Sequence, residues 1–228
     1  MMRGETLQSK PWLPYVAPFG LYMFFLQVQG SWPQGLVWLY PIKTISVAAV
    51  LWYFRRSYVE LLPAAWARPS YNPMLGVATG LLAILIWVAI NPFYPHLSDI
   101  MGMKMAPFDP TALEPVTRWT FITFRIIGAV IVVPVMEELF WRGFAIRWID
   151  DEHFQRVPVG VFSWKAFGVT VLLFGLEHNE WLAGLICGAL YNVLLYKRRE
   201  LFSCVVAHAV SNAALAAWVL ATGDWKLW

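Results

Sequence analysis

Between Arg68 and His96 the chain carries no lysine, arginine, aspartate or glutamate. A run of that length and apolarity has few ways to fold. The hydrocarbon core of a bilayer is about 30 Å thick and takes about 20 helical residues to cross. Inside it, backbone polar groups can be satisfied only in helices or closed barrels. Seven apolar segments follow along the chain, at about 12–29, 36–54, 74–93, 119–149, 163–178, 181–196 and 201–222. The first four and the last reach spanning length. The fifth and sixth, at about 16 residues each, are short for an untilted span. The expected fold is all-α: a polytopic integral membrane protein of about seven transmembrane helices.

Composition agrees. Hydrophobic residues make up 59% and charged residues 14%, the latter far below the ~25% of soluble domains. Fourteen tryptophans suit the two membrane interfaces. A net charge of +3 with no basic stripe and interleaved aromatics excludes nucleic acid as a partner. Cys187 and Cys204 stand in apolar runs without metal-site spacing and read as small buried hydrophobes. The first residues, 1–12, show no convincing cleavage site and lead into a first span. The placement of lysine and arginine puts the N-terminus in the cytoplasm. Twelve, among them Arg3, Arg68 and Arg199, fall inside on alternation, against Lys104, Arg118 and Lys226 outside. This reading places the chain in a cell membrane, the bacterial inner membrane.

Ionisable groups at membrane depth cost about 2.5–3.5 kcal/mol each on insertion scales and mark function by default. The fourth segment holds three: Glu137, Glu138 and Arg142. Glu138 and Arg142 are four apart and share a helix face, as a structural ion pair would. Glu137 is rotated by ~100° and has only Trp141 four residues on, so it is left as a free carboxylate. An ion cluster that merely fixes packing is the competing reading.

Two more polar groups interrupt apolar helices. His178 ends the fifth segment, and His208 and Asn212, four apart on one face, lie in the seventh. A carboxylate with two histidines can activate water, as general base or through a metal such as Zn²⁺ held by Glu137, His178 and His208. Asn212 is a candidate donor to an oxyanion. On straight helices the depths of Glu137, His178 and His208 do not match. Segments five and six are therefore expected to form a hairpin whose turn stays near a polar chamber lined by Glu137, His178, His208 and Asn212. The positions of Glu137 and His208 along their helices suggest cytoplasmic access. Glu177 and Glu180, beside His178, read as a hydrated rim. The stretch 91–117, rich in proline, reads as a connecting loop, and the acidic turn 150–153 as solvated. Lys43 is expected to snorkel to the interface, and Arg125 to pair with an outer-loop acid such as Asp99 or Asp109.

In order and spacing these residues resemble the CAAX prenyl protease and bacteriocin-processing (CPBP, Abi) family of intramembrane proteases. Its pattern is EExxxR, then FxxxH, then HxxxN. Here these are Glu137-Glu138 to Arg142, Phe174 to His178, and His208 to Asn212. The likeness extends to the branch found beside bacterial exosortase systems. It divides the chain into N-terminal helices and outer loop (1–118) and a CAAX-protease-like catalytic core (119–222). It implies that Glu137 is the base activating water, that Glu138 and Arg142 hold the site, and that His178, His208 and Asn212 position water, ligate a metal or stabilise the oxyanion. Zn or another divalent metal is the implied cofactor, and the partner is a membrane-associated or lipidated protein in the bilayer. Such an enzyme is an endopeptidase of glutamate or metalloprotease type. The alternatives are a non-catalytic membrane scaffold or chaperone that retains the polar cluster, and a proton-coupled transporter, for which no internal repeat is present. No HExxH motif occurs, which sets the chain apart from the zinc proteases that carry one.

Overall fold

Each apolar run is a helix in the computed structural model, which describes residues 10–61, 73–103 and 107–227. Arg3, Arg68 and Lys104 of the charge count lie outside the described residues. Among those described there is no strand, and seven long helices carry the fold: α1 (Leu13–Ser31), α2 (Leu36–Phe54), α3 (Pro73–Ile90), α4 (Pro115–Trp148), α5 (Trp164–Leu176), α6 (Trp181–Arg198) and α7 (Phe202–Thr222). Seven helices are not seven spans. Among the described residues four stretches are long and apolar enough to cross a membrane: Pro33–Ser57, Pro73–Ile100, Pro115–Trp148 and Phe202–Thr222. α5 has only 13 residues. α1 is long enough at 19 residues but includes Pro14, Pro18, Gln27 and Gln29.

Leu85, Ile45 and Ile131 project outward from α3, α2 and α4 and stay exposed, as lipid-facing side chains do. Exposed tryptophans gather near helix ends: Trp12, Trp52, Trp148 and Trp164 in one set, Trp32, Trp38 and Trp119 in the other. Two such sets are what two membrane interfaces select.

The helices join at two dissimilar ends. At the first, the start of α1, residues 55–61, the end of α4 and the loop before α5 meet. Tyr15 donates to Glu60 at 2.8 Å, Tyr58 to the Pro14 carbonyl, and Arg147 to Glu60, Gly143 and Val157. Tyr15, Tyr58, Phe144 and Phe154 pack ring to ring around this network. At the second end, residues 94–98 are fastened to the turn between α5 and α6. Leu97 N–H donates to the Asn179 carbonyl, Ser98 N–H to Asn179 Oδ1, and Trp181 Nε1 to the Pro95 carbonyl. The segment is thus more than the connecting loop the sequence suggested.

Glycines set the closeness of the packing. α3 lies on α7 through Gly76 and Gly80. A Cβ at Gly76 would stand 2.7 Å from the Ser203 carbonyl, and one at Gly80 would run into that of Ala207. In membranes such small residues let backbones approach and pack. In the α5–α6 hairpin Gly175 and Gly184 play the same part, with a Cβ at Gly184 only 3.0 Å from Gly175 Cα. Gly80→Val is expected to cost about 1–3 kcal/mol by overpacking. Thermal unfolding in detergent checks this, and an unchanged midpoint would show that α3 does not need this contact.

Two expectations are corrected. Lys43 does not snorkel: it is 2% exposed, donates to Gln29 Oε1 at 3.1 Å and sits over the rings of Tyr22 and Tyr40. Its midhelix position on α2 faces the bundle, so the ammonium finds protein partners. Asp99 and Asp109 hold their own loops, accepting from His96 N–H and Thr111 N–H. Arg125 instead lies over Tyr40, 5.3 Å from the ring centre.

Candidate active site

The site begins with an irregularity in α4. Two π-helical stretches, Gly128–Val132 and Leu139–Ala145, flank a six-residue α-helical piece, Val133–Glu138. Such wide turns recur at functional sites. In the first, Val133 N–H reaches back to Gly128. The donor that Ala129 would then find one residue further on is Pro134, which has no N–H. Asn212 on α7 supplies it, donating from Nδ2 to the Ala129 carbonyl at 2.8 Å. Proline and asparagine together lock α7 against α4. Asn212→Ala is expected to cost about 1–3 kcal/mol, the price of a part-buried carbonyl left bare. The loss should shrink in a Pro134→Ala background, where the substituted alanine provides an N–H. Equal losses in both backgrounds would break this link.

The α-helical piece places Glu137 and Glu138 with opposite fates. Glu138 is fully buried and pairs with Arg142 at 3.1 Å. Arg142 also donates from Nε to Asn192 Oδ1 at 3.1 Å and from Nη2 to the Gly188 carbonyl at 3.2 Å, and it lies 4.4 Å from the Phe174 ring centre. Asn192 in turn donates to Thr170 Oγ1. One ion pair thus ties α4, α5 and α6. Glu138 also reaches His208, whose Nδ1 is 2.9 Å away. A carboxylate there selects the tautomer protonated on Nδ1 and leaves a lone pair on Nε2. The ring is held flat against Tyr191, with centroids 5.4 Å apart.

Glu137 is 5% exposed; its side chain shares a hydrogen bond with that of Glu177, and its Oε2 meets no N–H or O–H donor among the described residues. It lies 3.9 Å from His208 Nε2. His178 is fixed by the Phe174 carbonyl, 2.7 Å from Nδ1. Because a carbonyl only accepts, that nitrogen carries the proton and Nε2 is again left with a lone pair.

Glu137, His178, His208 and Asn212 all line one chamber of about 240 Å³. The structure therefore brings together four residues from two helices and one turn, at helix positions whose depths disagree on straight helices. The short α5 and the irregular α4 account for this. The N-terminal helices complete the wall with Tyr22, Tyr40, Ile84 and Trp87, which carry no recognisable motif.

Glu177 and Glu180 part company. Glu180 lines the chamber and accepts from Asn179, as a rim residue would. Glu177 has a side chain only 13% exposed and accepts from Trp141 Nε1 at 3.2 Å, so the indole four residues after Glu137 serves Glu177 instead. Ligand atoms of Glu137, Glu177 and His178 lie within 4.8 Å of one another. Two carboxylates and an imidazole, with one carboxylate oxygen buried and meeting no N–H or O–H donor among the described residues, are a donor set that a divalent ion fits. His208 lies outside this group. The acidic turn 150–153 is solvent-facing, with Asp151 accepting from His153 N–H, and Cys187 and Cys204 are both free thiols.

Residues 118–214 match the family described as Rce1-like, type II CAAX prenyl endopeptidase Rce1-like. No curated relative and no solved structure matches the chain. The matched stretch runs from the start of α4 into α7, and all seven motif residues fall inside it. Over this core, residues 118–214, the chain matches a CAAX-protease family.

Proposed function

We propose that this chain is an intramembrane endopeptidase that hydrolyses a peptide bond of a membrane-associated or lipidated protein with a water activated at Glu137. One observation carries this reading: a buried carboxylate, Glu137, lining a chamber beside a histidine whose other nitrogen is fixed by a second carboxylate.

The chemistry follows from the atoms present. Water in the chamber donates to Glu137 Oε2 and to the lone pair of His208 Nε2. Glu137 takes a proton as the water oxygen attacks the scissile carbonyl carbon. Charge builds on the carbonyl oxygen, where the second N–H of Asn212 Nδ2 is available, the first being committed to Ala129. The C–N bond breaks, Glu137 returns the proton to the leaving nitrogen, and the products are a carboxylic acid, which keeps the water's second proton, and an amine. Glu138 and Arg142 act through His208, keeping its tautomer and position. Glu137, Glu177 and His178 would hold a divalent ion such as Zn²⁺, and such an ion would supply Lewis acidity and a more acidic water.

The test is a comparison of protein termini in host membranes with and without the chain at native abundance. A small set of new termini present only with the chain supports the reading and names the substrate. Identical termini, with any deletion phenotype rescued by Glu137→Gln, would favour a scaffold.

A further inference from the structure

We infer that a second pocket, built on the Glu60–Arg147 pair, binds the phosphoethanolamine group of a membrane lipid, with its ammonium on Glu200 and its phosphate on Arg147 and Arg199. Among the described residues this pocket shares no lining residue with the chamber, so the inference stands apart from the peptidase reading.

The pocket has a volume of about 440 Å³. Pro158 and Val159, from the loop before α5, and Leu201, at the start of α7, give it apolar walls. Its polar groups carry both signs of charge. Glu200 is 5% exposed. Its Oε2 accepts from Ser203 N–H at 3.0 Å and so caps the first turn of α7. Its Oε1 is buried and meets no N–H or O–H donor among the described residues. The cap therefore uses one oxygen and leaves the other for a ligand. Arg147 is 7% exposed. Nε donates to the Val157 carbonyl, and Nη1 to Glu60 and to the Gly143 carbonyl. That leaves Nη2 without an acceptor among the described residues.

The third charge is held in an unusual backbone. Arg199, just past the end of α6, has φ 54°, and among the described residues no other non-glycine residue has a positive φ. Glycine is the usual residue at such a helix end, so a long cationic side chain stands there against the backbone's preference. It is exposed at the pocket rim. Gly160 is pressed onto the same turn: a Cβ there would stand 2.8 Å from Arg199 Cα and from the Leu195 carbonyl. This approach seats the loop that carries Pro158 and Val159.

The charges select the occupant. A metal ion is disfavoured, because Glu60 already accepts from Arg147 and Tyr15. A simple anion would meet the buried Glu200 carboxylate. A zwitterion satisfies both ends: guanidinium groups hold phosphate, and a primary ammonium brings N–H donors to Oε1. A choline headgroup has no N–H to offer there. The place fits a lipid. Arg147 adjoins Trp148, one of the exposed tryptophans near these helix ends, and tryptophan gathers at headgroup level.

The test is thermal unfolding of the purified full-length protein in one detergent. Phosphatidylethanolamine, phosphatidylcholine or phosphatidylglycerol of the same acyl chains is added in equal amount, with soluble O-phosphoethanolamine as a fourth arm. Phosphatidylethanolamine is expected to raise the midpoint by about 2–4 °C more than the other lipids, as a bound ligand does. Glu200→Gln keeps an oxygen for the Ser203 cap but loses the charge, and the excess should vanish. Arg199→Gly relieves the positive φ, so its midpoint without added lipid should hold or rise while the excess shrinks. Equal shifts from the three lipids, a larger one from phosphatidylglycerol, or an excess that survives Glu200→Gln overturns the assignment. If Glu200→Gln does not fold, an undiminished excess in Arg199→Gly overturns it instead. An equal shift from soluble O-phosphoethanolamine overturns the lipid as the source of the group.

Discussion

Glu137→Gln is expected to lower the rate of peptide cleavage at least ~100-fold, the lower bound for losing a general base, without loss of folded protein. The amide matches the carboxylate in shape. Glu137 shares a side-chain hydrogen bond with Glu177, which the amide of a glutamine can keep by donating to the Glu177 carboxylate. The exchange also removes a carboxylate from beside Glu138 and Glu177, whose like charges disfavour one another at close range. Stability should therefore hold or rise while turnover falls. Rates measured on the purified protein in liposomes, with thermal midpoints alongside, separate the two quantities. A variant that cleaves normally, or one that loses activity only because it unfolds, would contradict the role assigned to Glu137.

Arg142→Met is expected to have the opposite signature. It deletes donors to Glu138, Asn192 and Gly188 at once and leaves the Glu138 carboxylate buried with His208 as its remaining partner. Removing one member of a buried ion pair typically costs about 3–5 kcal/mol, much of it the stranded charge. Pairing it with Glu138→Gln should recover part of that loss, because the uncompensated charge is gone. Activity should not recover, since His208 then lacks the carboxylate that sets its tautomer. The measurement is the thermal midpoint of the two singles and the double in one detergent. A double variant no more stable than Arg142→Met would show that the stranded charge is not the source of the loss.

Much of this site is legible in the residue pattern. Four-residue spacing alone joins Glu138 to Arg142 and leaves Glu137 over, and that is the arrangement of the side chains. It does not reveal that Trp141 serves Glu177, because that contact crosses from α4 to the end of α5. Nor can it show the two π-helical stretches, since nothing but Pro134 hints that Ala129 will want a donor from α7. The depths of Glu137, His178 and His208 disagree on straight helices for this reason. Lys43 is misread because hydropathy locates a charge along a helix without saying which face it is on; its face turns inward to Gln29. The Gly76-x-x-x-Gly80 spacing is a packing signal written in the sequence, but its partner, Ala207 on α7, lies more than a hundred residues away. The spanning count suffers differently: a helix can be apolar and long enough to pack inside a membrane protein while falling short of what a crossing needs, as α5 does.

In the proposed mechanism a water activated by Glu137 is the nucleophile. The most direct measurement is cleavage in H₂¹⁸O by the purified protein in liposomes, using the substrate named by the membrane comparison, with wild type and Glu137→Gln side by side. The mechanism predicts ¹⁸O in the new carboxyl terminus formed by the wild type, and almost no product from the variant over the same time. Labelled product from Glu137→Gln at an undiminished rate would contradict it.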